Sequence, residues 1–169
     1  MSTIEKDKKS TRTFKKLGFT FLETTEIVVT MRQLLADYQM YYFKMRNFHW
    51  DVEGPDFFDL HENFEQDYNV AKENIDIVAE RIRSFGLKPG MSMKDIMEKS
   101  NIDEADSNLT AVEMVKEILM DMSVLHNSML DVLNASLEIG DNVTEQIITD
   151  FMRRLEERNW MYTAFSKEA

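Results

Sequence analysis

A glycine–proline corner at Gly54 and Pro55 divides two long stretches in which apolar residues recur every three or four positions. The stretches span about residues 23–50 and 56–85. Gly54 is the only glycine at this corner, so it alone can turn without steric cost, and Pro55 suits the first turn of the next helix. The pattern predicts two long helices that form an antiparallel hairpin.

A long connection follows the second helix. Gly86 and the pair Pro89 and Gly90 end that helix, and a short helical piece at residues 93–99, capped by Ser92, lies within the connection. A link of this length in a helix bundle predicts a crossover that makes the second and third long helices parallel.

Two more helices complete the pattern. The third begins after Thr110, with Glu113 placed for a capping box, and ends before Gly140. Asp141 or Asn142 caps a fourth helix that runs to about residue 166. The predicted fold is all-α, a four-helix bundle with a short extra helix in the crossover connection.

The composition limits the chemistry. A chain of 169 residues fits one domain with a substantial core, and it contains no cysteine. Disulfides and thiolate metal ligands are therefore excluded, and iron, manganese or zinc would bind through nitrogen and oxygen. The N-terminus lacks the apolar run of a secretory signal, and no stretch of about 18 apolar residues exists. We expect a cytoplasmic protein with no membrane partner.

Charge is unevenly distributed along the chain. Residues 1–16 contain six lysines and arginines against two acids, a net charge of +4, whereas the whole chain has −11 and residues 17–169 have −15. We therefore expect a flexible basic arm at residues 1–16 and a bundle at residues 17–169. The bundle should repel nucleic acid and attract cations.

The second predicted helix carries a stripe of potential metal ligands. On an ideal helix Glu65, Asp76 and Glu80 lie about 40°, 60° and 100° from His61, beside the apolar face. His61 and Asp76 are nevertheless about 22 Å apart along the axis, too far to share one metal ion. His49 lies just across the corner from His61. If these residues form one site, a second chain must supply half of it, as in a two-fold dimer with antiparallel copies of this helix.

Two motifs in this region resemble those of the Dps family, the mini-ferritins first described as DNA-binding proteins from starved cells. The first motif comprises His49, Trp50, Val52, Gly54, Leu60, His61 and Glu65. The second comprises Ile75, Asp76, Val78, Ala79, Glu80, Arg81, Phe85, Gly86 and Pro89. Both motifs are filled without a gap, and together they cover a region of about 40 residues. The flanking helical patterns extend the resemblance over most of the chain.

The resemblance implies a ferritin-like four-helix bundle that assembles into a hollow dodecamer. It implies a di-iron ferroxidase centre between subunits, with His49, His61, Glu65, Asp76 and Glu80 as catalytic iron ligands. It also implies oxidation of Fe²⁺, preferentially by hydrogen peroxide, and storage of Fe³⁺ oxide in the shell. Glu65 departs from the aspartate of many members, and its longer side chain is expected to change the position or affinity of the second metal.

Other residues have two readings. Asp59, Glu62 and Glu73 fit either a solvated surface or a face that nucleates ferric oxide, with Glu62 as the best candidate. The acids at the turn between the last two helices fit either helix caps and surface charge or a pore for Fe²⁺; these are Glu138, Asp141, Glu145 and Asp150. Trp50 is expected to pack in the core and, by resemblance, to take up stray oxidising equivalents, as Tyr41 or Tyr42 could. Met45 could shield the site, and His126 is expected to be structural.

Three rival functions remain open. A conventional ferritin builds its di-iron site within one bundle from Glu-x-x-His motifs, and none occurs in this chain. The second rival is a nucleoid-associated DNA-binding protein whose iron site is secondary. The third is a helical assembly with no chemistry.

Any DNA binding should come from the N-terminal arm alone. Many copies of a +4 arm would bind phosphates without sequence preference and lose affinity steeply with salt. In a gel shift with plasmid DNA at low and physiological salt, the full chain should shift DNA more strongly than a version lacking residues 1–16. Equal binding by the two proteins would place the DNA contact elsewhere.

Overall fold

A computed structural model describes residues 15–106 and 108–167, and these residues form helices without strands. A 3-10 turn at Lys15–Gly18 precedes the helices, which are α1 (Phe21–Asp51), α2 (Phe57–Ser84), α3 (Met93–Lys99), α4 (Ala111–Ile139) and α5 (Asn142–Ser166). The all-α prediction and the short crossover helix are confirmed. Within the described ranges no helix is long and apolar enough to cross a membrane. Of the predicted basic arm, residues 1–14 lie outside the described residues.

Local capping sequences determine where the helices begin. Thr110 accepts a hydrogen bond from the Glu113 amide, while the Glu113 carboxylate accepts one from the Thr110 amide. Ser92 caps α3 in the same way, and both predicted caps are confirmed. Each box satisfies amides that the first turn of a helix leaves unpaired. Thr20 and Glu23 form a third box, which places the start of α1 slightly before the predicted residue.

The corner between α1 and α2 depends on Gly54. Its φ of 112° lies in a region that residues with a Cβ rarely adopt. The Phe57 amide donates to the Gly54 carbonyl at 3.2 Å, and α2 begins at Phe57. Pro55 therefore lies in the turn before the helix and not in the first helical turn, which corrects that detail of the prediction.

Polar contacts show that α1 and α2 are antiparallel. Tyr38 on α1 accepts a hydrogen bond from Asn74 on α2 at 2.9 Å, whereas His49, later on α1, contacts His61, earlier on α2. The predicted hairpin is confirmed.

The crossover prediction is also confirmed. Ser128 on α4 donates to Asp37 on α1, and Lys44 on α1 donates to Asp121 on α4 at 3.0 Å. The later residue on α1, Lys44, contacts the earlier residue on α4, Asp121, so these two helices are antiparallel. Because α2 is also antiparallel to α1, α2 and α4 run in the same direction.

A wholly buried carboxylate attaches the crossover connection to the bundle. Asp37 accepts hydrogen bonds from four groups on three segments; the donors are Gln33, Ser100, Asn101 and Ser128. Several donors to one ionised acceptor offset its desolvation. This network fixes the end of α3 against both α1 and α4.

Two ion-pair networks connect α2 to α5. Arg158 contacts the Asp67 carboxylate at 2.7 Å, and the Tyr162 hydroxyl donates to the same carboxylate. At the other end of α2, the Arg81 guanidinium lies 2.6 Å from the Asp141 carboxylate. Asp141 caps α5 by accepting a hydrogen bond from the Thr144 amide, and the Arg81 Nε–H donates to the Thr144 hydroxyl. The motif residue Arg81 therefore has a structural role.

The apolar core fills the space between the four long helices. Its largest fully buried side chains are Phe64, Phe85, Ile27, Met31, Leu34, Met45, Ile82, Ile118, Met122, Leu125, Met129 and Ile148. Several of these residues are methionines, which fill the core adaptably, whereas Met93, Met97, Met120 and Met161 are exposed. Trp50 corrects the prediction, because 60% of its surface is exposed and its ring packs against Arg46, not in the core.

A buried ion pair joins α1 to α4. The Lys44 ammonium lies 2.9 Å from the Asp121 carboxylate, and both side chains are buried. Burial raises the pKa of Asp121 to about 6, and the neighbouring Glu117 and Asp103 carboxylates add to this, while Lys44 opposes it. The carboxyl group therefore binds its proton more tightly in the folded protein than in the unfolded chain.

The raised pKa predicts a loss of stability with rising pH. Protonated Asp121 contributes to the free energy of unfolding, by roughly 3 kcal/mol at most. This contribution is fully present below about pH 4, the pKa of the carboxyl group in the unfolded chain. It is lost as the pH rises through about 6, the pKa in the folded protein. Asp121→Asn should flatten the dependence of the unfolding free energy on pH between 4 and 7, measured by urea denaturation. Asp131→Asn, at an exposed position on the same helix, should leave it unchanged. An unaltered slope in Asp121→Asn would contradict the assignment.

Candidate metal centre

Two histidines meet where the α1–α2 corner brings the end of α1 onto the start of α2. The His49 Nδ1–H donates to the His61 carbonyl at 2.8 Å, and the His61 Nδ1–H donates to the His49 carbonyl at 2.7 Å. The imidazole rings stack with centroids 3.8 Å apart and planes 20° apart. The structure thus brings together the two histidines that the sequence predicts to be neighbours.

These reciprocal hydrogen bonds determine the tautomer of both rings. A carbonyl oxygen can only accept, so each Nδ1 must carry the proton. In a neutral imidazole the lone pair then lies on Nε2, the nitrogen that can bind a metal ion. A backbone carbonyl on the other nitrogen is the usual support of a metal-binding histidine, because it fixes the ring orientation.

Aromatic neighbours hold the pair from both sides. The Phe57 ring stacks on His61 at 5.0 Å, and the Tyr68 ring lies edge-on to His49 at 5.4 Å. His49 is buried and His61 is half-buried. The rings are therefore fixed while part of the pair stays accessible to a small cation.

Tyr68 also connects the histidines to a predicted carboxylate ligand. Its hydroxyl donates to the Glu65 carboxylate at 3.4 Å, and Glu65 lies one helical turn after His61. Partial burial raises the pKa of the Tyr68 phenol, and the Glu65 charge raises it further, so the hydroxyl keeps its proton at neutral pH. The helical periodicity of α2 puts Tyr68 at an apolar position, and its spacing of three residues from Glu65 is the signal in the sequence for this contact.

Asp76 and Glu80 form a separate half-set. Both are exposed on α2, one helical turn apart. Along the helix axis Asp76 lies about 22 Å and Glu80 about 28 Å from His61. In residues 15–106 and 108–167, no three histidine or carboxylate side chains come close enough to hold one metal ion. One chain therefore presents two incomplete ligand sets, with imidazoles and Glu65 at one end of α2 and carboxylates at the other.

The donor set fits iron. Imidazole nitrogen binds Fe²⁺, and anionic carboxylate oxygen stabilises the harder Fe³⁺. The two half-sets together offer both donor types in the number that a di-iron centre needs. Neither half-set alone has enough ligands for such a centre.

The other predicted residues occupy varied environments. Met45 is fully buried one turn before His49, Tyr41 is buried, Tyr42 is half-buried, and the Tyr42 ring contacts Tyr68 at 6.1 Å. The candidate nucleation residues Asp59, Glu62 and Glu73 are exposed, as is Glu138, whereas Glu145 and Asp150 are half-buried.

Asp141 corrects the pore prediction. Its side chain is 3% exposed, pairs with Arg81 and caps α5 through Thr144. A carboxylate held in this way faces its own bundle and does not line a channel. The capping reading that the sequence left open is the one that the structure supports.

Known proteins of similar sequence also indicate a ferritin-like fold. The Ferritin family model, described as a ferritin-like domain, matches residues 30–168. The fold and this match define the class, a ferritin-like helical protein. The chain is 37% identical over 144 residues to DNA protection during starvation protein 2 of Bacillus anthracis, covering 83% of this chain and 96% of that protein.

Solved structures agree. A Dps protein from Bacillus brevis superposes with a TM-score of 0.84 at 32% identity, covering 88% of this chain and all of that one. The Vibrio cholerae O1 Dps protein, described as belonging to a broad superfamily of ferritin-like diiron-carboxylate proteins, superposes with a TM-score of 0.83 at 29% identity, covering 86% of this chain and 92% of that one. The chain belongs to the Dps family.

The Tyr68 contact predicts a measurable effect on metal affinity. Tyr68→Phe removes the hydroxyl that orients Glu65 and should weaken anaerobic Fe²⁺ binding by up to about ten-fold in calorimetric titration. The matched variant Tyr42→Phe should have no comparable effect. If the contact acts through Glu65, Tyr68→Phe should add little in a Glu65→Gln background. Independent, additive losses would rule out that connection.

Proposed function

We propose that the protein is a mini-ferritin that oxidises Fe²⁺, preferentially with hydrogen peroxide, at di-iron centres shared between subunits. Each centre combines His49, His61 and Glu65 of one subunit with Asp76 and Glu80 of the other. The observation that carries the proposal is the division of the donors between the two ends of one helix, with His61 about 22 Å from Asp76 along its axis, so that neither half-set alone completes a di-iron centre.

A two-fold dimer with antiparallel copies of α2 completes both sets at once. An isologous interface places each half-set of one chain against the other half-set of its mate, so two equivalent centres form. Phe58 supports burial of this face, because its ring is 82% exposed in the isolated chain. On an ideal helix Phe58 lies about 60° from His61, in the same direction as Asp76. A subunit interface on this face would remove the Phe58 ring from water, which favours association.

The chemistry at such a centre is an electron transfer from iron to peroxide. Two Fe²⁺ ions each lose one electron, the O–O bond breaks, and peroxide becomes two hydroxide ions. The fixed Nε2 atoms of the histidines bind ferrous iron, and the carboxylates neutralise the added positive charge of the product. Consuming peroxide and Fe²⁺ together suppresses formation of hydroxyl radicals.

We further propose that the subunits assemble into a cytoplasmic hollow dodecamer that stores the ferric product. The exposed acids on α2 would attract Fe³⁺ and nucleate the oxide, with Glu62 as the first candidate. The bundle charge of −15 favours cation uptake. The alternative of a nucleoid-associated DNA-binding protein depends on the basic arm, with iron binding then secondary.

Stopped-flow spectroscopy tests the site assignment. After anaerobic loading with Fe²⁺ and addition of peroxide, the parent should form a soluble ferric chromophore rapidly. His61→Ala and Asp76→Ala should each slow this by about 100-fold or more, because each removes a ligand. Glu65→Asp should have a mild effect, since it restores the residue common in the family.

Asp131→Ala is the matched control, because Asp131 is an exposed aspartate on α4 and is neither a predicted ligand nor a predicted nucleation residue. It should react at the parent rate, and size-exclusion chromatography should give the same assembly for all variants. Parent-rate oxidation by His61→Ala or Asp76→Ala would refute the assignment.

A further inference from the structure

The third histidine of the chain lies outside the α1–α2 corner, in a cavity between α4 and α5. His126 on α4 faces Glu156 on α5, with the His126 Nε2 3.5 Å from the Glu156 carboxylate oxygen. The cavity measures about 370 Å³ and is also lined by Ser123, Asn127 and Asn159, with Trp160 at its side. Apart from Met122, Leu155 and Trp160, every lining residue carries a nitrogen or oxygen atom with a lone pair.

We propose that His126 and Glu156 form a second divalent transition-metal site, separate from the centre on α2. The distance between the two donor atoms is the first argument. A charge-assisted hydrogen bond is normally about 2.7–2.9 Å long, so 3.5 Å is too long for a strong one. With metal–nitrogen and metal–oxygen bonds of about 2.1 Å, the same separation corresponds to a ligand–metal–ligand angle of about 115°, close to tetrahedral.

Accessibility and support are the second argument. His126 is 34% exposed and Glu156 is 64% exposed, so a hydrated cation can reach both. The two residues belong to different helices that pack against each other, so the backbone holds the donors opposite one another. Two ligands from rigid helices lose less freedom on binding than two ligands from loops.

The surroundings supply further ligands. The hydroxyl of Ser123, one turn before His126, and the side-chain carbonyl of Asn159, one turn after Glu156, offer neutral oxygens in the same cavity. The nearby Arg158 guanidinium, which would repel a cation, is paired with Asp67 at 2.7 Å on the α2 side. Water can complete the coordination because the cavity is open.

The donor types define the class of metal. One imidazole and one carboxylate favour Zn²⁺, Co²⁺, Cu²⁺ or Fe²⁺ over Mg²⁺ and Ca²⁺, which prefer sites made only of oxygen. Only two of the protein ligands, the imidazole and the carboxylate, bind such metals strongly. The site should therefore have a lower metal affinity than a site with three such ligands. The proposal does not depend on the oxidation reaction proposed above.

The two tryptophans of the chain allow each site to be observed separately. Trp50 directly follows His49, and Trp160 lines the His126 cavity. In a Trp50→Phe variant, Trp160 is the remaining indole and its fluorescence is quenched when Co²⁺ binds nearby. The assembled Trp50→Phe protein should show saturable quenching by Co²⁺ that excess Zn²⁺ reverses.

Substitutions at the site identify the ligands. In the Trp50→Phe background, His126→Gln should raise the Co²⁺ concentration for half-quenching by about ten-fold or more, and Glu156→Gln should also raise it. Glu157→Gln, at an exposed position beside Glu156, should leave it unchanged. Quenching that is equally strong in His126→Gln, or absent from the Trp50→Phe protein, would overturn the proposal.

A second measurement does not depend on fluorescence. In a His49→Ala, His61→Ala variant, His126 is the only histidine, so its imidazole signals in NMR spectra need no further assignment. Substoichiometric Co²⁺ should broaden or shift those signals selectively. Unperturbed signals at a Co²⁺ concentration that quenches Trp160 would also overturn the proposal.

Discussion

The axial length of one helix determines how this protein can bind metal. Fifteen residues of α2 separate His61 from Asp76, about 22 Å, and no rotamer of either side chain closes that gap. The corner at Gly54 can return His49 to His61 because those residues lie on two helices that meet. No such turn connects the imidazoles to Asp76 and Glu80, so the geometry of a single bundle leaves both half-sets incomplete.

The polar groups that hold the bundle together are not the predicted metal ligands. Asp67 with Arg158, Asp141 with Arg81, and the Asp37 network all satisfy buried charge within the chain. The first two pairs fix α2 against α5, and the Asp37 network fixes α1 against α4 and the crossover connection. The ligand stripe then lies beside the core on a rigid support, where a partner can approach without rearranging the bundle.

The sequence was a good guide to local structure, because helix ends are encoded locally. Thr110 with Glu113 and Ser92 with Asp95 are three residues apart, so their boxes can be read directly from the chain. The role of Asp141 could not be read in this way, because its partner Arg81 lies 60 residues earlier. Trp50 was assigned to the core because apolar periodicity does not distinguish a buried side chain from an apolar one on the surface.

In the candidate site too, most features set by local spacing could be predicted from the sequence, whereas contacts between distant residues could not. The five ligand candidates, the stripe on α2 and the need for a second chain all follow from spacing along an ideal helix. The reciprocal bonds between His49 and His61, which assign the metal-binding nitrogen, depend on the path of the corner and could not be predicted from spacing. The contact from Tyr68 to Glu65 is hidden in the sequence because an aromatic ring at core spacing indicates packing before it indicates a hydrogen bond.

Co-assembly of two inactive variants tests the shared centre most directly. A dimer of one His61→Ala subunit and one Asp76→Ala subunit contains one centre that lacks both groups and one that is intact. Random mixing makes about half of the dimers mixed, so shared centres should restore about a quarter of the parental rate of peroxide-driven Fe²⁺ oxidation. If each centre were built within one chain, every subunit would remain defective. Co-assembled protein with no more activity than the separate variants would show that the centres are not shared.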